Sequence, residues 1–221
     1  MKLLGHYLSP FTRRVAVSLN ALEIPFWLEE LSVIQQPERV RPHNPTLRIP
    51  TVVLDDGEAL IESDAILDEI DQMVGPARAL VPPSGPHRRR VMQITAMALA
   101  SMDKAQMGYY ERRFRPEEKV HQPWIDHNND QCLGGLRHLD AIASAVTQSG
   151  WLAGTPAMTQ ADITTAVIVS FVREGRPELK IDEIVPGLCG FAARCEQLPA
   201  FHSAAMPASQ PGRPGVWLPR A

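Results

Sequence analysis

Ser9, Pro50 and the pair Glu62–Ser63 are the residues whose types and setting can do chemistry. Ser9 stands where a helix N-cap belongs, with Pro10 at the first helical position, where a missing N–H costs nothing. An X–Pro bond that turns sharply into a strand, as Ile49–Pro50 does, is a candidate for the cis form. The N–H and C=O of Ile49 would then be open to pair with an extended peptide, as an added strand does. Glu62 and Ser63 fall where a strand hands over to a helix. A helix start attracts a carboxylate, Ser63 can donate to it, and Glu62 can accept from an ammonium group. Taken singly, Ser9 reads as a cap and Glu62–Ser63 as a routine helix start. Taken together they describe a receptor for a small peptide with an amino-acid-like end.

The elements that must position these residues follow from patterning. The apolar run 2–7 reads as a strand, and Val15, Leu19 and Leu22 repeat at helical spacing after Ser9. Residues 25–31 are rich in β-formers, and Asp55-Asp56-Gly57 between two apolar runs is a hairpin signal. Residues 63–74 place Ile66, Ile70, Met73 and Val74 on one helical face. The order βαβ then ββα is that of a thioredoxin-like α+β domain, with a parallel pair first and an antiparallel pair second. In such a unit, the loop after the first strand lies at the carboxyl end of the sheet, where ligands bind.

Beyond a Pro- and Gly-rich break at 75–87 the pattern turns helical. The periodicity predicts helices over 88–114, with Val91, Ile94, Met97 or Ala98, and Met102 inward, and over 123–146, with Leu133, Leu136, Leu139 and Ile142 inward. Residues 159–174 are apolar nearly all round, so that helix belongs at the centre of an all-α domain; Thr159 and Asp162 read as its capping box. A last helix covers about 186–198, and the Pro-rich stretch 207–221 reads as an extended tail. The boundaries expected are 1–76 for the first domain, 77–87 for a linker, and 88–221 for the helical domain.

Composition narrows the function classes. The chain has 221 residues, 44% hydrophobic and 21% charged, with a formal net charge of −3. That balance leaves no basic footprint for a nucleic-acid partner, and Arg88-Arg89-Arg90 reads as a solvated helix start. No apolar run is long enough to predict a membrane span, and Arg13-Arg14 break any signal-peptide core. Three cysteines, Cys132, Cys189 and Cys195, suit a reducing cytoplasm better than a disulfide scaffold. The seven histidines show no ligand spacing, so no metal is expected.

The stretches YLSPFTRRV, NPTLRIPTVVLDDGEALIESDAI and GWLAGTPAMTQADI resemble the glutathione transferase family, in order, from residue 2 to about 200. The resemblance implies a thioredoxin-like domain followed by an all-helical one, and a homodimer. It implies an enzyme that conjugates glutathione to a small hydrophobic electrophile; a glutathione-dependent peroxidase or a non-catalytic binding protein is the alternative. Ser9 would activate the glutathione thiol, and Ile49, after Arg48 and before Pro50, would bind the cysteinyl backbone. Glu62 and Ser63 would hold the γ-glutamyl end, and Arg48 would lie near the glycine carboxylate. Leu47 departs from the pattern, since many bacterial members carry glycine there. The second-substrate pocket would take in Tyr7, Phe11, Tyr109 and Tyr110; from the residues alone, Tyr109 and Tyr110 read equally as core.

A serine suits the chemistry so implied. A free thiol titrates near 8.5, and a helix N-terminus with a hydroxyl donor to sulfur favours the thiolate. Ser9-Pro10-Phe11-Thr12 stands where redox relatives of this fold carry a Cys-x-x-Cys pair, so dithiol exchange is not expected. Tyr7 is the rival thiol activator, since other branches of the family use tyrosine; its place at the end of the first strand reads as a wall residue.

Overall fold

The structure, a computed structural model, describes residues 1–147 and 149–207; the expected tail lies outside them from residue 208 on. The chain divides into two compact units. Of the described residues, one unit holds 1–79 together with 197–207, and the other holds those from 80 to 196.

The first unit begins β1 (Lys2–Gly5), α1 (Pro10–Ala21), β2 (Trp27–Glu30), α2 (Pro37–Val40), β3 (Thr51–Val53), β4 (Ala59–Ile61) and α3 (Ser63–Val74). The sheet order is β2-β1-β3-β4, with β1 parallel to β2 and antiparallel to β3, and β3 antiparallel to β4. This is the thioredoxin-like arrangement expected. The 51–61 hairpin closes as the Asp-Gly signal predicts: Gly57 takes φ +92°, and the Glu58 N–H donates to Asp56 Oδ1 at 3.0 Å.

Two expectations are corrected here. The first strand stops at Gly5 and does not reach Tyr7. Gly5 turns the chain at φ +147°, and the Ser9 N–H closes the turn on the His6 carbonyl at 3.0 Å. On α3, Met73 is 52% exposed, and the buried face is Ser63, Ile66, Leu67 and Ile70. The stripe lies one position nearer Leu67, which a helix face centred on Ile66 and Ile70 brings inward.

The second unit is helical throughout its regular structure: α4 (Gly85–Phe114), α5 (Gln122–Ala145), α6 (Gln160–Gly175), α7 (Ile181–Ile184) and α8 (Pro186–Glu196). The fourth helix takes in Gly85, Pro86 and His87 from the stretch expected to be linker; Pro86 fits its first turn. Its buried stripe runs through Val91, Ile94, Ala98, Met102 and Ala105, so Ala98 and not Met97 faces inward. On α5 the stripe is Cys132, Leu136, Leu139 and Ala143; Leu133 and Ile142 flank it. Every residue of α6 from Gln160 to Ser170 is buried, which is the central position that all-round apolarity predicted. The three cysteines are free and buried. Burial pushes the Cys132 thiol up to about 11 and Cys195 up to about 12.

The chain then returns to the first unit with α9 (Pro199–His202), which packs on α1. Arg13 Nε donates to the Ala204 carbonyl at 2.8 Å, and Asn20 Nδ2 to the Ala200 carbonyl at 3.0 Å. The expectation that 88–221 forms one helical domain did not foresee this return.

Candidate functional site

The candidate site is built from the starts of α1 and α3 and from the loop before β3. Ser9 caps α1 in an extended conformation, and its Oγ accepts from the Thr12 N–H at 3.3 Å. Its own hydroxyl proton goes to no acceptor among the described residues. Thr12 is buried against Gly5, where an added Cβ would stand 2.5 Å from Thr12 Oγ1. The close approach of strand and helix therefore needs glycine, and it sets where the cap falls.

His6 and Tyr7 occupy the turn between β1 and Ser9. The Ser9 N–H also points at His6 Nδ1, 3.2 Å away. Burial pushes the imidazole down to about 4, against a hydrogen bond with its own backbone that raises it. The folded value lies below the ordinary 6.5, so the unfolded chain takes up a proton first as pH falls. This contribution to stability is complete above pH 6.5 and is lost as pH falls toward 4. At 1.36 kcal/mol per pH unit the whole interval amounts to about 3 kcal/mol. Urea unfolding at pH 7 and pH 4.5 checks this, with His6→Gln expected to lose that part of the pH dependence. The Tyr7 hydroxyl is pushed up by burial and then by the Glu30 charge, so it stays neutral.

The loop before β3 is organised by Asn44, which is fully buried. Its Nδ2 donates to the Arg48 carbonyl at 3.0 Å, and its Oδ1 accepts from the Thr46 N–H at 3.0 Å and the Thr46 hydroxyl at 2.6 Å. Ile49–Pro50 is cis. The N–H and C=O of Ile49 bond to nothing among the described residues. Leu47 takes φ +55°, a conformation that costs an L residue roughly 1–2 kcal/mol and that glycine adopts freely. Here the leucine side chain is retained against Leu4, Leu31 and Val40.

At the start of α3, Glu62 holds φ +65°, ψ 125°, and Ser63 opens the helix. Arg14, on α1, is the residue that patterning missed. Its guanidinium is buried, with Nη1 3.0 Å from Ser63 Oγ and 2.8 Å from Asp64 Oδ1. Burial lowers its titration value, with the Asp64 charge working the other way. Two adjacent arginines, the only charged residues of α1, were the available signal, since a charge carried into the buried side of a helix must find a partner. Arg14 thus ties the two helix starts together and puts positive charge behind Ser63. Arg48 and Glu62 also meet, Nη1 to Oε1 at 3.0 Å.

Ser9, Arg48, Ile49, Pro50, Glu62, Ser63, Tyr7 and Phe11 all belong to the first unit, Phe11 half-buried in the first turn of α1. Tyr109 and Tyr110 belong to the second, where their ring centroids lie 5.9 Å apart and Tyr110 meets Phe114 edge-on at 5.0 Å. Among the described residues no helix is long and apolar enough to cross a membrane, and no group of three or more His, Cys, Asp or Glu is placed to hold a metal ion.

Residues 3–78 match the family described as "Glutathione S-transferase, N-terminal domain". The uncharacterized GST-like protein YibF of Escherichia coli (strain K12) is 34% identical over 104 residues, which is 47% of this chain and 50% of that protein, so the match spans half of that curated relative. A glutathione S-transferase from Methylobacillus flagellatus KT, solved with glutathione bound, superposes with a TM-score of 0.84 at 27% identity, over 93% of this chain and 98% of that one. A glutathione transferase family member from Pseudomonas fluorescens Pf-5, with bound glutathione, superposes with a TM-score of 0.80 at 26% identity, over 94% of this chain and 99% of that one. Residues 3–78 are thus similar to the glutathione transferase N-terminal domain, and the described residues share the fold of these solved glutathione transferases.

Proposed function

We propose that the protein binds glutathione in its first unit and transfers it to small apolar electrophiles, with Ser9 holding the sulfur as thiolate. The observation that carries this is the spare proton at Ser9. Its Oγ accepts from the Thr12 N–H, which leaves the O–H to donate to an anion at the helix start. Ser63 repeats the device, since its Oγ accepts from Arg14 and its proton is left for a carboxylate. Ile49 offers an open N–H and C=O to a peptide backbone, and Arg48 and Glu62 supply charges for the two ends of the tripeptide. Solved structures of similar fold hold glutathione, which supports the choice of peptide. Tyr7 and Phe11 are the proposed walls for the electrophile in the first unit. Pairing into a homodimer and a cytoplasmic location belong to the same reading.

The test is Ser9→Ala. A hydrogen bond to a charged group contributes about 1.5–3 kcal/mol, so the bound thiol should titrate about one to two pH units higher. Thiolate absorbance of the complex reads this directly. Affinity for glutathione at low pH should be nearly unchanged, because the rest of the peptide is held elsewhere. Loss of the cap costs about 0.5–2 kcal/mol of stability, which unfolding experiments control for. Tyr7→Phe should have the smaller effect; activity lost in Tyr7→Phe and kept in Ser9→Ala would reverse the two roles.

A further inference from the structure

Arg48 and Glu62, assigned above to opposite ends of one peptide, hold each other. Their ion pair is 3.0 Å long, with the side chains 58% and 50% exposed. Both backbones are set firmly. The Arg48 carbonyl is held by Asn44, Leu47 before it takes φ +55°, and Glu62 itself takes φ +65°. Such conformations in L residues persist only where the surroundings over-determine them. The neighbouring acid, Asp64, is held by Arg14 at 2.8 Å.

We propose that this ion pair is a clasp across the peptide site that favours ligands carrying both a free ammonium and a free carboxylate. The proposal rests on the glutathione reading. A ligand with both charges gives each side chain a new partner, so one ion pair is exchanged for two. A ligand with the carboxylate alone must take Arg48 from Glu62 and leaves Glu62 without a cation. The clasp therefore discriminates against peptides lacking the amino end, by more than the loss of their own contact. An exposed pair of this kind is worth up to about fivefold in a binding constant.

The test compares glutathione with its deaminated analogue, glutaryl-cysteinyl-glycine, by calorimetry on the wild-type chain and on Glu62→Gln. Glu62→Gln should weaken glutathione about tenfold, because the ammonium keeps a neutral amide acceptor but loses the carboxylate charge. The same substitution should tighten the deaminated analogue, up to about fivefold, because Arg48 is released. In an Arg48→Met background the tightening should vanish, since no cation is left to release. An analogue that binds Glu62→Gln no better than wild type overturns the clasp while leaving the glutathione reading standing. Absence of glutathione binding to the wild-type chain overturns both.

Discussion

Arg176→Ala is expected to lower the unfolding free energy by about 2–4 kcal/mol, since it leaves the Ala105 carbonyl and Asn129 Oδ1 without their donor and empties the buried space that the side chain fills. Arg176 follows α6 directly and is 1% exposed. Its guanidinium donates to the Ala105 carbonyl and to Asn129 Oδ1, both at 2.6 Å, and to Glu178 Oε1 at 2.7 Å. One side chain thus joins the end of α6 to α4 and α5. Room for it exists only because position 108 is glycine: a Cβ there would stand 2.4 Å from Nη1. Gly108→Ala should therefore be destabilising too, although alanine is ordinarily the better helix former. Urea unfolding of both variants checks the argument, and a Gly108→Ala chain as stable as the wild type would contradict it.

Asp162→Ala is expected to cost about 4 kcal/mol. The carboxylate is wholly buried; Oδ1 accepts from the Leu152 N–H, and Oδ2 from the Thr159 N–H and hydroxyl, each at 2.8 Å. Alanine leaves two buried backbone donors unsatisfied, at about 1–3 kcal/mol each, and removes one half of the capping box. Burial raises the titration value of the acid against these hydrogen bonds, so relief of that desolvation offsets part of the loss. Asp162→Asn keeps one acceptor and sets an amide NH2 against the other donors, and should lose about half as much. Thermal unfolding with a matched surface control measures the difference. A loss under 1 kcal/mol for alanine would show that the bonds do not hold the start of α6.

What was legible in the sequence was what local rules write. Asp55-Asp56-Gly57 fixes its hairpin through the φ that Gly57 accepts, and Thr159 with Asp162 caps its helix by spacing alone. Ser9 was readable because Pro10 follows it. Arg14, Asn44 and Arg176 were not, because each works through partners far along the chain or through burial that patterning assigns to apolar residues. An arginine sealed inside an apolar helix looks like a surface residue until Ser63 and Asp64, roughly fifty positions away, are brought to it. Asn44-Pro45 signals a turn, yet nothing local says that its amide will hold the Arg48 carbonyl. Glu62 was read as an acceptor for a ligand, and its present partner, Arg48, lies on a different loop.

The return of the chain end to α1 bears on the order in which the molecule is made. Arg13 and Asn20 are translated early, but the carbonyls they donate to, Ala204 and Ala200, emerge only after the whole helical unit. A ribosome therefore releases the helical unit with all its own partners before the sheet unit has all of its partners. The unit that carries Ser9 is begun first and finished last, and the nascent chain passes through a stage in which the helical half is complete while the helix that Ser9 caps still lacks the segment that packs on it.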